Sequence, residues 1–282
     1  MDFYLIIGAH GFLGSALTKK LISKGKQVTL FDRNLHSRDD LIRFIKKSNV
    51  VYFLSGIKDS NDPEIFSVNV NWFESCLRLV SEYSPDMKLI FASSVAVYKP
   101  VQNQLTLKES SEILPRNRYG LTKLLAEDIL KYYSDNKLVM SGLSLRISNI
   151  YGPTKKKDTS IVSRFMNHAK RGEIITLDNG GEQSRDFVYI DDVVAALIKA
   201  EEASIKGFDV FNISSDKSIT LIELASLIGR ITRTQILTQT KVVEGMHDDF
   251  WKVDNNKAKR ILRWIPKVDL EEGLRGTWED LG

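Results

Sequence analysis

The stretch Tyr119-Gly120-Leu121-Thr122-Lys123 sets a phenol and an ammonium four residues apart. In a helix that spacing puts both side chains on one face. A free tyrosine, with a pKa of about 10, moves protons poorly near neutrality, but a fixed positive charge beside it favours the phenolate and lowers that value. Such a phenol could take a proton from, or return one to, a hydroxyl or carbonyl oxygen. The spacing by itself fits a solvated helix face equally well, so the elements upstream must decide.

Residues 3–7 form a short apolar run that ends in Gly8-Ala9-His10-Gly11-Phe12-Leu13-Gly14, after which Ala16, Leu17, Leu21 and Ile22 recur at helical spacing. This reads as strand, glycine turn and helix. Glycines at 8, 11 and 14 permit a tight turn, close approach of a pyrophosphate to backbone N–H groups, and close packing of helix on strand. The first gap is one residue wider than in the commonest dinucleotide fingerprint. The turn, with Phe12 and Leu13 inside it, is expected to hold a dinucleotide. The next strand, 27–31, ends in Asp32, 18 residues after the last glycine. An acid there suits the adenosine ribose hydroxyls and repels a 2′-phosphate, which favours NAD over NADP, while Arg33 beside it weakens that preference. An ordinary solvated aspartate is the other reading.

Further along, 39–47 reads as a helix and 50–54 as a strand running into the turn Ser55-Gly56; this strand end, Leu54 included, is assigned to the cofactor. Asp62-Pro63 is expected to open a long helix, with proline at its first position. The strand 88–92 ends in Ser93-Ser94-Val95-Ala96-Val97-Tyr98, and small polar residues at the carboxyl end of a strand in an open α/β sheet lie where ligands bind. A polar, flap-like stretch, 99–116, precedes the helix 117–133, whose buried stripe is expected to be Leu121, Leu124, Leu125 and Ile129. With the strand 142–146, this alternation predicts an α/β fold, a doubly wound parallel sheet.

The pattern breaks after Tyr151-Gly152-Pro153, where 154–159 reads as a basic loop. A helix at 160–170, strands at 174–177 and 186–189, a helix at 191–201 and a capping box Thr220-x-x-Glu223 follow. We expect residues 1–152 to form the Rossmann domain, completed by return segments near 186–213. Residues 153–282 then form mainly a smaller α/β substrate-binding region.

Composition narrows the partners. With 282 residues and 43% hydrophobic content the chain can bury a large core, and Lys plus Arg (40) against Asp plus Glu (36) leaves only +4, scattered along the chain. Nucleic acid is not expected as a partner, and an anionic small molecule is. The single cysteine, Cys76, excludes an internal disulfide framework and points to a reducing cytoplasm. Four histidines without ligand spacing argue against a metal, and no apolar run is long enough for a membrane span.

Taken together, the motifs resemble the extended short-chain dehydrogenase/reductase family, in its nucleotide-sugar epimerase, dehydratase and reductase branch. The resemblance is carried in order by Gly8-x-x-Gly11-x-x-Gly14, Ser93-Ser94, Tyr119-x-x-x-Lys123, the run from Leu145 to Pro153 (Leu-Arg-Ile-Ser-Asn-Ile-Tyr-Gly-Pro) and the run from Gln183 to Asp192. It implies that Ser94 hydrogen-bonds the sugar oxygen, that Tyr119 is the general acid/base, and that Lys123 binds the nicotinamide ribose and lowers the tyrosine pKa. Lys58 resembles a cofactor-contacting lysine of the 4-epimerases, with Gly56 beside it. Asn149 and Arg185 resemble ligands of the substrate's diphosphate, for which a guanidinium fork is suited; a loop cap and a surface ion pair are their plainer readings.

Departures from the family pattern shape the expected activity. Val95 and Ala96 stand where dehydratases carry an acid pair, so 4,6-dehydration is not expected. Lys99 replaces a glycine, and the second diphosphate arginine is missing near 244–247. Between Asp32 and Val50 there is room for a helix but hardly for an extra strand, which predicts a looser adenine pocket. The leading expectation is an NAD-dependent 4-epimerase of a nucleotide-diphosphate sugar. An NAD(P)H-dependent reductase of a 4-keto-6-deoxy sugar is the alternative, and a non-catalytic dinucleotide-binding relative the second. A homodimer through the helices 63–82 and 117–133 is expected as well.

Overall fold

The computed structural model describes residues 3–100, 105–154, 160–242 and 251–281. From its amino end the chain runs through β1 (Phe3–Ile7), α1 (Phe12–Ser23), β2 (Gln27–Phe31), α2 (Arg38–Lys47), β3 (Val50–Phe53), α3 (Trp72–Tyr83) and β4 (Lys88–Ser94). It continues through β5 (Thr106–Leu107), α4 (Arg118–Asp135), β6 (Ser141–Ile147), β7 (Asn149–Tyr151), α5 (Ile161–Arg171), β8 (Ile175–Asp178) and β9 (Ser184–Tyr189). The last elements are α6 (Ile190–Glu202), β10 (Gly207–Ile213), β11 (Ser218–Thr220), α7 (Leu221–Thr232), β12 (Thr238–Lys241), β13 (Lys252–Val253) and α8 (Leu270–Leu281).

Six strands make one parallel sheet in the order β10-β6-β4-β3-β1-β2. Parallel strands need crossovers, and here the helices fall on both faces. Alternation along β1 shows the division: Tyr4 and Ile6 pack with Leu17 and Leu21 of α1 and Val193 and Leu197 of α6. Leu5 and Ile7 instead pack with Leu41 of α2, Phe73 and Leu77 of α3, and Leu130 of α4. Near-continuous apolar strands such as Val50–Phe53, fully buried on both sides, follow from this sandwiching. The doubly wound sheet predicted from the alternation is therefore present, with β10 as a sixth strand beside β6. α2 alone occupies the span between β2 and β3, so β2 is the edge of the sheet.

A second core joins α5, α7 and α8 to β8 and β9 through Phe165, Met166, Leu177, Phe187, Leu224, Ile228 and Leu274. The capping box at Thr220 and Glu223 opens α7 as expected. Residues 251–281 then fold back across the molecule. β13 pairs with β5, the Asn255 amide donates to the Ser214 carbonyl at 2.8 Å, and the Trp264 indole donates to the Asp192 carbonyl at 2.9 Å. The Asp192 carboxylate in turn accepts the Lys267 and Val268 N–H groups, each at 3.0 Å.

Two helices differ from the sequence expectation. Pro63 lies in a turn rather than at the first helical position, because the Asp62 carboxylate already accepts the Glu64 N–H at 2.8 Å and helical bonding begins at Ile65. That helix continues into α3 through a π-helical turn at Ser67–Asn71. In α4 the buried positions are Gly120, Thr122, Lys123, Ala126, Glu127, Leu130 and Ser134, whereas Leu121 is exposed and Leu124, Leu125 and Ile129 are half-buried. The helix is rotated toward its polar residues because Lys123 and Glu127 find partners inside the sheet. Of the apolar residues at helical spacing in α1, Leu17 and Leu21 are buried and Ile22 is exposed. Residues 155–159 of the basic loop, and positions 244–247, lie outside the described residues.

Candidate active site

The glycine turn is sterically determined. Gly8 has φ +92°, and a Cβ built there would stand 2.5 Å from the Ser55 nitrogen. A Cβ on Gly14 would stand 2.1 Å from the Gly8 carbonyl oxygen. Both contacts are far inside van der Waals range, so β1, the turn and the strand end at Leu54 and Ser55 approach one another only as glycine allows. Gly11 N–H donates to the Gly8 carbonyl at 3.1 Å and Gly11 is the N-cap of α1, a helix with no side-chain cap and no acid in its first turn. Uncapped N–H groups and the positive end of the helix dipole make this turn a fit for a pyrophosphate.

A cleft of about 470 Å³ opens over the carboxyl ends of the strands, where ligands bind in open α/β sheets. Gly11, Phe12, Leu13, Gly14, Leu54, Gly56 and Lys58 line one side of it. Ser94, Tyr119 and Lys123 line the middle, and Asn149 and Arg185 the far side. Thus residues separated by up to 174 positions in sequence (11 to 185) meet in one cavity. Gly8 and Ser55 lie beneath it as packing partners. Asp32 and Arg33 do not line it; the Asp32 carboxylate accepts the Asn34 N–H at 2.8 Å and stands 3.6 Å from His10 Nε2, and Arg33 is exposed.

Ser94 ends β4, and its Oγ accepts the Ala96 N–H at 3.2 Å, which anchors the following 3-10 turn. Ser94 shares the middle of the cleft with the Tyr119 phenol and pulls its pKa down. Tyr119 is held from below by Gly120, whose Cβ, if present, would meet the Ala96 carbonyl at 2.2 Å, so α4 sits directly on that turn. Asn117 caps the helix by accepting the Gly120 N–H at 2.8 Å. One glycine and one cap thereby bring the phenol to the serine.

Lys123 Nζ donates to the Ala92 carbonyl at 2.8 Å and stands 4.8 Å above the Phe91 ring and 5.8 Å from the Tyr119 ring centroid. Burial, and secondarily the charge of Lys58, pushes its pKa down to about 7, against the pull of Glu127. Burial also raises the Tyr119 pKa, with Ser94 pulling the other way. The expected lowering of the phenol by the lysine is therefore not the balance found. Desolvation acts on both groups, and the ammonium is turned toward a carbonyl and a ring face rather than toward the phenol oxygen.

The ionisable groups around the cleft are Lys58, Tyr119, Lys123 and Arg185, and no carboxylate lines it among the described residues. Three cations without an anion favour a ligand rich in phosphate. Arg185 Nη1 donates to the Ser184 carbonyl at 2.7 Å, and Asn149 Nδ2 donates to the Asp186 carbonyl at 2.9 Å.

Sequence reasoning missed Asn69. It lies in the π-helical turn, is 2% exposed, and its Oδ1 accepts the Ile57 N–H at 2.7 Å while its Nδ2 donates to the Ile57 carbonyl at 2.9 Å and to Thr122 Oγ1 at 3.0 Å. One amide thus ties the Gly56-Ile57-Lys58 loop to α4 beside Lys123. An asparagine amid the apolar run of a helix was the available signal, since asparagine disfavours helix interiors. Ser148, Ser160, Ile161 and Phe187 also line the cleft and were given no role of their own.

Comparison with known proteins gives three findings. The family model described as the NAD dependent epimerase/dehydratase family matches residues 4–214. A UDP-glucuronic acid decarboxylase of Arabidopsis thaliana is 28% identical over 310 aligned residues, covering 98% of this chain and 88% of the relative; a putative UDP-glucose 4-epimerase of Methanocaldococcus jannaschii is 28% identical, covering 96% and 95%. The crystal structure of UDP-glucose 4-epimerase with UDP-glucose from Thermotoga maritima superposes with a TM-score of 0.88 at 26% identity, covering 99% of this chain and 98% of that one.

Proposed function

The chain belongs to the NAD-dependent epimerase/dehydratase family, and from that premise we propose that it is a nucleotide-sugar 4-epimerase acting on a UDP-linked pyranose. The observation that carries the proposal is the convergence of Ser94, Tyr119 and Lys123 in a cleft that also holds the glycine turn and Arg185.

In this reading the glycine turn, Gly11 to Gly14, takes the pyrophosphate of NAD, and Leu54, Gly56, Lys58 and Lys123 lie along the rest of the cofactor. Asp32 serves the adenosine ribose. When bound, NAD supplies the acceptor and donor of a hydride. The chain's part is proton handling and restraint. Tyr119 takes the proton of the C4 hydroxyl as that carbon is oxidised and returns it when the carbonyl is reduced. Ser94 donates to the same oxygen, and the seating of α4 on the turn after Ser94 holds the two groups convergent. Lys123, buried at a pKa of about 7, gains its charge when an anion enters beside it, which stabilises the phenolate at the moment it is needed. Asn149 and Arg185 hold the diphosphate, leaving the sugar to turn and present either face.

Elimination reactions that need a carboxylic acid and base at the sugar find no carboxylate lining the cleft among the described residues. A single reduction of a 4-keto sugar is the second reading, and one observation favours it. β2 is the edge of the sheet, so the adenine end is bounded by the turn after Asp32 with no further strand outside it, and the cofactor can exchange.

We further propose a homodimer and a reducing cytoplasmic setting. On α4, Leu121, Leu125, Ile129 and Tyr132 fall on one face and are exposed or half-exposed, next to α3. Such a face suits pairing with a second copy. The sole cysteine, Cys76, is 1% exposed and its thiol is pushed up by burial, which suits a compartment without disulfides.

The test is to incubate the protein with NAD and UDP-glucose or UDP-glucuronate and follow the anomeric proton by NMR. Interconversion of two 4-epimers without net change in NADH absorbance supports epimerase. Stoichiometric NADH consumption with a 4-keto sugar nucleotide replaces it with reductase, and failure to convert or bind any of them removes the enzymatic reading.

A further inference from the structure

Asp186 is fully buried, with relative exposure of 0%. It lies between Arg185 and Phe187, both of which line the cleft, yet its own side chain turns away into the protein. There Oδ1 accepts the Ser148 hydroxyl at 2.7 Å and the Ser215 N–H at 2.9 Å, while Oδ2 has no partner. Its backbone carbonyl accepts Asn149 Nδ2 at 2.9 Å. Three segments therefore meet at one residue: Ser148 and Asn149 after β6 and Arg185 to Phe187 in β9, which reach the cleft, and Ser215 after β10, which braces them from behind. Strand pairing repeats the junction, with Asn149 opposite Phe187 and Ser218 opposite Asp186.

A hydrophobic side chain would fill this place more cheaply than a buried carboxyl whose second oxygen is unbonded. Structure alone does not account for the residue. What the carboxyl provides is a fixed distance between β9, where Arg185 precedes it, and the Ser148 segment, where Asn149 follows; both neighbours line the cleft. We propose that Asp186 is the positioning residue of the diphosphate grip: by binding Ser148 and Ser215 it sets where Asn149 and Arg185 meet a nucleoside diphosphate. This rests on the function proposed above.

Burial pushes the carboxyl of Asp186 up to about 7, against the hydrogen bonds from Ser215 and Ser148 that act the other way. Near neutrality it is then partly protonated, and an amide of the same shape is a close substitute. This separates shape from charge in the experiment.

The measurement is calorimetric titration of the full-length protein with UDP, and separately with NAD. Asp186→Ala is expected to weaken UDP by about tenfold or more, the loss of one to two hydrogen bonds at the junction, while NAD affinity stays within about twofold. Asp186→Asn is expected to keep UDP affinity within about threefold of the unaltered protein. Ser148→Ala, which removes one bond and leaves the carboxyl, is expected to show a smaller loss in the same direction, and it carries the test with Asp186→Asn should the alanine variant not fold. On an Arg185→Ala, Asn149→Ala background the Asp186→Ala loss is expected to vanish, because it acts through those two side chains. Equal weakening of UDP and NAD, or a full Asp186→Ala loss on that background, overturns the inference. If the unaltered protein binds NAD but not UDP, the functional reading fails and this inference with it, a result distinct from selective loss in the variants.

Discussion

Lys123 Nζ stands 5.8 Å from the centre of the Tyr119 ring, with its own hydrogen bond spent on the Ala92 carbonyl. Burial favours the protonated phenol, so a change in local charge is what releases its proton. Tyr119→Phe preserves the ring that packs here and removes only the transferable proton. It is expected to lower kcat by roughly 10²- to 10⁴-fold with UDP affinity unchanged. Steady-state NMR of epimer interconversion, paired with calorimetry, checks both halves; wild-type turnover would exclude the phenol from the chemistry.

The same lysine makes a pH prediction. Its folded pKa is about 7, against about 10.4 when unfolded, so between those values the unfolded chain binds more protons and stability rises with pH. Below about 7 the cost of burying the charge is present in full. Lys123→Met should therefore be more stable than the natural protein at pH 7, and the difference should shrink toward pH 10. Urea unfolding of both proteins across that range is the measurement, and a gap that stays constant with pH counts against a buried, depressed lysine.

Arg146 and Glu127 form a buried pair on β6 and α4, with Nη2 to Oε2 at 2.7 Å and both Nε contacts at 3.1 Å. Ser144 Oγ also donates to Glu127 at 2.9 Å, and the guanidinium lies over the Tyr98 ring at 4.8 Å. Arg146→Met leaves the carboxylate stranded and is expected to cost about 3–5 kcal/mol. Adding Glu127→Leu should restore much of that loss. Denaturant midpoints of the single and double variants decide it; equal loss in both would mean that the pair itself is stabilising.

Two glycines separate crowding from backbone strain. Gly14→Ala places a methyl 2.1 Å from the Gly8 oxygen, against backbone that cannot rotate away, and should cost at least about 2 kcal/mol and abolish NAD binding. Gly25 has φ +71° with nothing within 4 Å, so Gly25→Ala should cost about 1 kcal/mol with NAD affinity unchanged. Thermal melts with and without NAD distinguish the two.

The parts of the fold that were legible in sequence are those where burial follows one simple period. Strands such as Gln27–Phe31 and the turn from Gly8 to Gly14 were read correctly because apolar runs and glycines carry their own geometry. The stripe of α4 was not, because hydrophobic periodicity assumes that the inward side is the apolar one. Here the inward side holds Lys123 and Glu127, whose partners Ala92 and Arg146 come from distant strands. Asn69 escaped for a related reason. Its importance lies in Ile57, 12 residues back, and Thr122, 53 ahead, and no local pattern encodes both.

The returning tail has a bearing on how the protein is made. β13 latches the flap strand β5, and the backbone around Lys267 and Val268 occupies the Asp192 carboxylate. Synthesis from the amino end delivers the glycine turn well before these fastenings. A nascent chain can therefore complete much of the parallel sheet on the ribosome before residues 251–281 fasten β5 and the start of α6.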